Sequence, residues 1–187
     1  MTCNNPLDAA LLADYWITAS DDTSIEEHLL SCDHCCHRLR EIAQLAEAIR
    51  DLARSGSLLM TVPDAFIDQI AAEGLRVREY TPPRNGSIAC TVSADDDFLI
   101  GRLTADLTAA RRLDLSLCDA SGLEHTRLAD IPFRADAPSI VFQQPIAYAK
   151  AAPSETLIAR LLSLDESGTE HLLGEYTFHH TRTIPTA

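Results

Sequence analysis

The spacing His28-x3-Cys32-x2-Cys35 constrains this chain more than any other feature of its sequence. A Cys-x-x-Cys pair lets two thiolates reach one ion across a tight turn, and a histidine one helical turn upstream faces the same way as the first cysteine. Three of the six cysteines fall within five residues, Cys32, Cys35 and Cys36. Such clustering reads as metal ligation rather than as a disulfide framework. A closed structural zinc site takes four ligands in a tetrahedron, so a fourth is expected. Cys3 is the candidate, because a first helix folded back antiparallel to the second would bring its beginning beside the second helix's end. His34 and His37 flank the pair and are alternatives. His34 lies inside the knuckle and should point outward, while Cys36 would be rotated by about 100° from Cys35 on a helix. A thioredoxin-like reading of Cys32 to Cys35 lacks the surrounding βαβ pattern that it requires.

The residues around the motif have helical periodicity. Asn5 before Pro6 reads as a cap with proline at the first helical position, and Leu7, Leu11, Leu12, Tyr15 and Trp16 extend a first helix over roughly residues 6–18. Ser20, Asp21 and Asp22 break it. Thr23 and Glu26 have capping-box spacing and open a second helix carrying Ile25, His28, Leu29 and Leu30. A third restarts at Asp33, with Leu39, Ile42, Leu45, Ile49 and Leu52 as its apolar stripe. Ser55, Gly56 and Ser57 end it. A short fourth helix begins at Pro63 or Asp64, presents Phe66, Ile67 and Ile70 on one face, and stops at Gly74.

Thr81, Pro82, Pro83, Arg84, Asn85 and Gly86 read as a linker, beyond which the period changes to alternation. Segments 87–94, 98–106, 111–119, 123–129, 139–143, 156–164 and 171–179 are expected to be strands. LSLCDASGLEH and LSLDESGTEH carry the same hairpin-turn chemistry. The fold class expected is therefore α+β and multidomain. A zinc-stapled bundle of three helices plus a short fourth (1–76) is followed by a linker (77–86) and an antiparallel β-sandwich (87–182). Residues 1 to about 55 are too few to build an ample core alone, which is why a metal staple suits them.

Charge and motif inventory exclude several functions. A net charge of -13, with Lys150 as the only lysine, argues against nucleic acid and suits a basic partner. No stretch of roughly 20 apolar residues reads as a membrane span. The beginning of the chain lacks a basic patch followed by an apolar run, so a cytoplasmic location is expected. His125, His171, His179 and His180 are scattered, and His179 and His180 must face opposite ways in a strand. Cys90 and Cys118 sit in apolar segments and read as small buried hydrophobes. Asp95, Asp96 and Asp97 read as a solvated acidic turn. No nucleophile–histidine–acid pattern or glycine-rich phosphate loop appears, so no enzyme activity is expected.

The string EEHLLSCDHC, with Cys3 about 25 residues before His28, resembles the zinc-binding anti-sigma family of bacteria. The resemblance covers residues 1 to about 76. It includes the long helix after the Cys-x-x-Cys, the break at Ser55 to Ser57, and the short helix opened by Pro63 and Asp64. It implies that Cys3, His28, Cys32 and Cys35 hold Zn2+. It also implies that the module clasps an extracytoplasmic-function sigma factor and keeps it from RNA polymerase, with Phe66, Ile67 and Ile70 as the partner-binding face of the fourth helix. Some members of the family release their partner when the zinc thiolates are oxidised, and Cys3 with the spare thiol of Cys36 permits such a switch here. The alternative expectation is a zinc-stabilised interaction scaffold that binds no sigma factor. Burial of Phe66, Ile67 and Ile70 inside the monomer would favour the scaffold.

Overall fold

A computed structural model describes residue 3, residues 5–18 and residues 22–183. It divides into two compact units, Met1–Ala53 and Arg54–Ala187. The layout is helices first and β-sheets after, the α+β arrangement expected.

The helical unit contains α1 (Ala9–Thr18), α2 (Thr23–Ser31) and α3 (Asp33–Arg54). Helix α1 starts later than Asn5 and Pro6 suggest. The Leu7 backbone is occupied instead, its N–H 3.4 Å from Cys35 Sγ and its carbonyl accepting from Arg38 at 3.1 Å. Asp8 caps the helix, its carboxylate accepting from the Ala10 N–H at 2.7 Å. At α2 the cap also shifts by one residue. Asp22 accepts from the Ser24 N–H at 3.0 Å and from the Ser24 hydroxyl at 2.7 Å, leaving Thr23 as the first helical residue. A carboxylate beside a hydroxyl is the stronger acceptor for the orphan N–H groups of a helix start. Ser20 and Asp21 lie outside the described residues.

The second unit holds β1 (Met60–Thr61), α4 (Asp64–Ala72), β2 (Val77–Tyr80), β3 (Gly86–Cys90), β4 (Phe98–Thr104), β5 (Arg112–Cys118), β6 (Glu124–Leu128), β7 (Ser139–Gln144), α5 (Ile146–Ala151), β8 (Glu155–Leu164) and β9 (Glu170–His180). Each of the seven expected strand segments overlaps one of these strands. One sheet has the order β1-β7-β4-β2 and the other β3-β9-β8-β5-β6. Both are mixed rather than antiparallel throughout, because β2 runs parallel to β4 and β3 parallel to β9. The expected linker over 77–86 is accordingly divided. Residues 77–80 form the edge strand of one sheet, and the prolines that follow carry the chain to the edge of the other. That crossing from one sheet to the other replaces the hairpin that would have kept the strands antiparallel.

The main core lies between the sheets. Leu103, Ile140 and Phe142 from one meet Leu113, Leu115, Leu117, Ala159, Leu161, Tyr176 and Phe178 from the other. Phe142 and Phe178 meet edge to face with centroids 6.2 Å apart. Gly101 is needed here, because a Cβ at that position would overlap the Phe142 ring. A second cluster covers the outer face of the first sheet, where Ile67 packs with Val62, Ile100 and Val141.

The two echoing hairpins, β5–β6 and β8–β9, repeat one set of bonds. Asp119 accepts from the N–H groups of Ser121 and Leu123 and from the Ser121 hydroxyl, and its other oxygen lies 3.2 Å from His125 Nε2. Asp165 does the same with Ser167, Thr169 and His171. The Ser121 hydroxyl and the turn's N–H groups hold the Asp119 carboxyl down at about 2, and the same pattern holds Asp165 lower still.

Candidate metal centre

The helical unit brings Cys3, His28, Cys32 and Cys35 together. One ligand atom from each lies within 4.8 Å of all the others. Three features of local structure achieve this. His28 and Cys32 are four residues apart across the last turn of α2, so both face the same side. Cys32 is the extended residue between α2 and α3, with φ −127° and ψ 98°, and this bend carries Cys35 back towards His28. The segment before α1 is tied to α3 through Leu7 and Arg38, which sets Cys3 against the knuckle.

The His28 Nε2 atom is 3.2 Å from Cys35 Sγ and 3.7 Å from Cys3 Sγ. Cys35 is buried, and the other three are half-buried. The Cys32 thiol sits below its ordinary value, chiefly because the Cys35 N–H at the start of α3 bonds to it, with further help from the neighbouring thiols. The Cys3 thiol is pulled down by a backbone bond at Asn5, but burial and the sulfurs of Cys32 and Cys35 outweigh this and leave it raised. One imidazole and three sulfurs at this separation form a group that could hold a metal ion.

The alternatives point elsewhere. His34 is exposed, and His37 is exposed and 3.6 Å from Glu41. The Cys36 sulfur accepts from Arg40 at 3.3 Å, one turn along α3. In the second unit, His125 and His171 belong to the hairpin turns, and His179 lies 3.2 Å from the Thr156 hydroxyl.

Phe66, Ile67 and Ile70 do not form an open face. Ile70 is 1% exposed, Ile67 packs into the second cluster, and Phe66 meets Phe98 edge to face at 6.1 Å. A nine-residue helix has too few internal bonds to stand alone, and the outer face of the first sheet provides its apolar cover. The acidic turn also departs from expectation. Asp96 is 2% exposed and receives two bonds from Arg78 at 3.2 Å and one from the Ser93 N–H at 2.8 Å. Burial works against its ionisation, but the Ser93 and Arg78 bonds prevail and keep its carboxyl below the usual range. Asp97 accepts from the Arg76 N–H at 2.8 Å. The acidic run thus anchors the chain around β2.

Sequence periodicity did not anticipate which apolar residues of the helical unit stay exposed. Ile17 is 69% exposed, Leu45 62% and Ile49 49%, and Leu11 and Trp16 are also open. Leu45 and Ile49 are four apart on α3 and share a face.

No protein-family model matches the chain, and no curated protein gives a significant match. Three solved structures resemble it in part. CopC from Methylosinus trichosporium OB3b is 14% identical, with a TM-score of 0.32, 56% of this chain covered and 91% of that one. The N-terminal domain of phage TP901-1 ORF48 is 12% identical, with a TM-score of 0.37, covering 59% of this chain and 100% of that domain. Extracellular domains 3–5 of Drosophila OTK are 13% identical, with a TM-score of 0.29, 67% of this chain covered and 38% of that chain. These scores are too low to carry a fold or a function across. Among the described residues, no helix is long and apolar enough to cross a membrane.

Proposed function

We propose that the helical unit is a zinc-stapled anti-sigma module. In this reading it sequesters an extracytoplasmic-function sigma factor and blocks that factor's access to RNA polymerase. The observation that carries the proposal is the pairing of a four-ligand cluster with an apolar exterior on the same small bundle. Zn–S bonds of about 2.3 Å and a Zn–N bond of about 2.0 Å give tetrahedral edges of about 3.5 to 3.8 Å. Separations of 3.2 and 3.7 Å from His28 Nε2 accord with such edges. With zinc bound, Cys3, His28, Cys32 and Cys35 would tie the entry to α1, the end of α2 and the start of α3 to one point.

Leu45 and Ile49 on one face of α3, and Leu11, Trp16 and Ile17 around α1, are apolar side chains that the bundle leaves uncovered. The net charge of -13 favours a basic partner surface. The sigma factor as partner rests on the EEHLLSCDHC resemblance. The contact surface proposed keeps the bundle, on α1 and α3, and leaves out the α4 face that the resemblance also implies.

A specific observation favours a second reading. The α4 face through which the family would grip its partner is taken up by the sheet, which suits a zinc-stabilised scaffold binding some other protein through α1 and α3. Co-expression with the sigma factor encoded nearest to it separates the two. A one-to-one complex containing one zinc, lost in a Leu45→Asp, Ile49→Asp variant, supports the anti-sigma reading. A zinc-loaded protein that leaves the sigma factor unbound refutes it and leaves the scaffold.

A further inference from the structure

The two facing sheets leave a cavity of about 520 Å³ at one end of their core. Small-molecule sites commonly occupy roughly 300 to 1,000 Å³. Its walls are apolar, formed by Leu99, Leu117, Phe142, Leu157 and Phe178. What distinguishes it from a packing fault is a pair of polar side chains in its lining. The inward series of β7 runs Ile140, Phe142 and then Gln144, and that of β9 runs Tyr176, Phe178 and then His180. Each series is apolar until its last residue. Gln144 Nε2 and His180 Nε2 are both buried, and neither has a hydrogen-bond partner among the described residues. Both residues line the cavity. The Gln144 amide is an unmatched buried donor, rare in folded proteins, that asks for an acceptor, and the His180 ring nitrogen donates or accepts according to its tautomer.

Charge around the cavity narrows what that acceptor can be. Asp119 and Glu155 contribute to the lining, and Asp119 is fixed in its turn by Ser121 and Leu123. Two carboxylates disfavour an anion. His125 already lies 3.2 Å from Asp119 and Glu155 is exposed, so neither carboxylate calls for a cationic ligand. The occupant that fits is uncharged, mostly apolar, and oxygen-bearing.

We propose that this cavity is a binding site for a neutral, predominantly apolar small molecule whose carbonyl or hydroxyl oxygen is held by the Gln144 amide and the His180 imidazole. The site is built by the second unit alone and is independent of the metal centre.

Prodan, an uncharged naphthalene ketone whose emission shifts to the blue in apolar surroundings, is a suitable probe. Titration into the full-length protein is expected to give saturable one-to-one binding below about 100 μM, the affinity reasonable for a ligand of its size. Intermolecular NOEs should connect the dye to the methyl groups of Leu117 and Leu157. Gln144→Leu, which keeps the apolar volume, should weaken binding about tenfold through the lost hydrogen bond. His180→Phe should act in the same direction. The exposed apolar residues of the helical unit could also attract a dye, so a Leu45→Asp, Ile49→Asp variant is the control and should bind prodan as the parent does. Non-saturable binding, binding lost in the control, or NOEs absent from both leucines would overturn the proposal. So would unchanged affinity in both Gln144→Leu and His180→Phe.

Discussion

The two units of this chain solve the same problem by opposite means. The β unit closes a core between its sheets from long inward series of leucine, isoleucine and aromatic side chains, and buries a second cluster beneath α4. In the helical unit, the buried apolar residues of α1, α2 and α3 are Leu12, Ile25, Cys35 and Ala53. Several of its larger apolar residues, Ile17, Leu45 and Ile49 among them, face outward. One unit is held by burial, and the other needs a point of attachment between its helices. The difference gives a physical reason for a ligand cluster where the segment before α1, the end of α2 and the start of α3 come together.

The largest effect that could break this contrast comes from Cys35→Ser. Structural zinc contributes about 10 to 16 kcal/mol to small modules at neutral pH. Loss of one ligand should therefore melt α1 to α3, seen as lost far-UV helical signal, while the thermal transition of the β unit stays in place. A simultaneous loss of both units would show that the contrast is wrong.

Next in size is Ile70→Asp. A charge forced into this buried position should cost the β unit about 3 kcal/mol or more. Urea unfolding read through β-sheet signal checks it. An Ile70→Asp variant that keeps full stability would reopen α4 as a free face for a partner.

Leu45→Asp with Ile49→Asp sharpens the comparison from the other side. Both residues are exposed, so stability should shift by no more than about 0.5 kcal/mol per site. Binding of the sigma factor should fall at least about 100-fold if these side chains sit at the centre of the contact. Calorimetry on the same samples gives both readings.

The smallest effect is a pH dependence confined to the β unit. The Asp119 carboxyl, at about 2 in the folded chain, lies below the usual unfolded value of about 3.9. Its stabilising bonds are fully present above the unfolded value and disappear as pH falls through the folded one. Asp119→Asn should therefore lower the urea midpoint of the β unit most above about pH 4, and the gap from the parent should narrow towards pH 2. A gap that stays constant would mean that charge plays no part in the turn.

Much of this arrangement was legible from residue pattern alone. The Cys-x-x-Cys knuckle with its upstream histidine is local geometry, and so are the seven strands whose inward residues alternate. Cys3 could be placed because a short antiparallel return leaves few positions within reach. Other features depend on contacts distant in sequence. Val77 to Tyr80 has charged residues at its centre and no clean alternation, and its strand state comes from pairing with Phe98 to Gly101. The burial of Ile67 depends on a sheet assembled from residues 60–144, so the amphipathic face of α4 read equally well as a partner surface. Asp96 looked solvated because Arg78, its partner, lies eighteen residues away. Gln144 and His180 gave no signal as a pair, since nothing in either strand shows that their ends share one cavity.

The most direct test of the account is hydrogen exchange on the full-length protein with and without a strong chelator, together with metal content. The account predicts one zinc per chain, and chelation should remove protection from the amides of α1, α2 and α3 while those of β4, β5, β8 and β9 stay protected. Helical amides that remain protected after the metal is gone would contradict it, because the bundle would then be holding itself together without the staple.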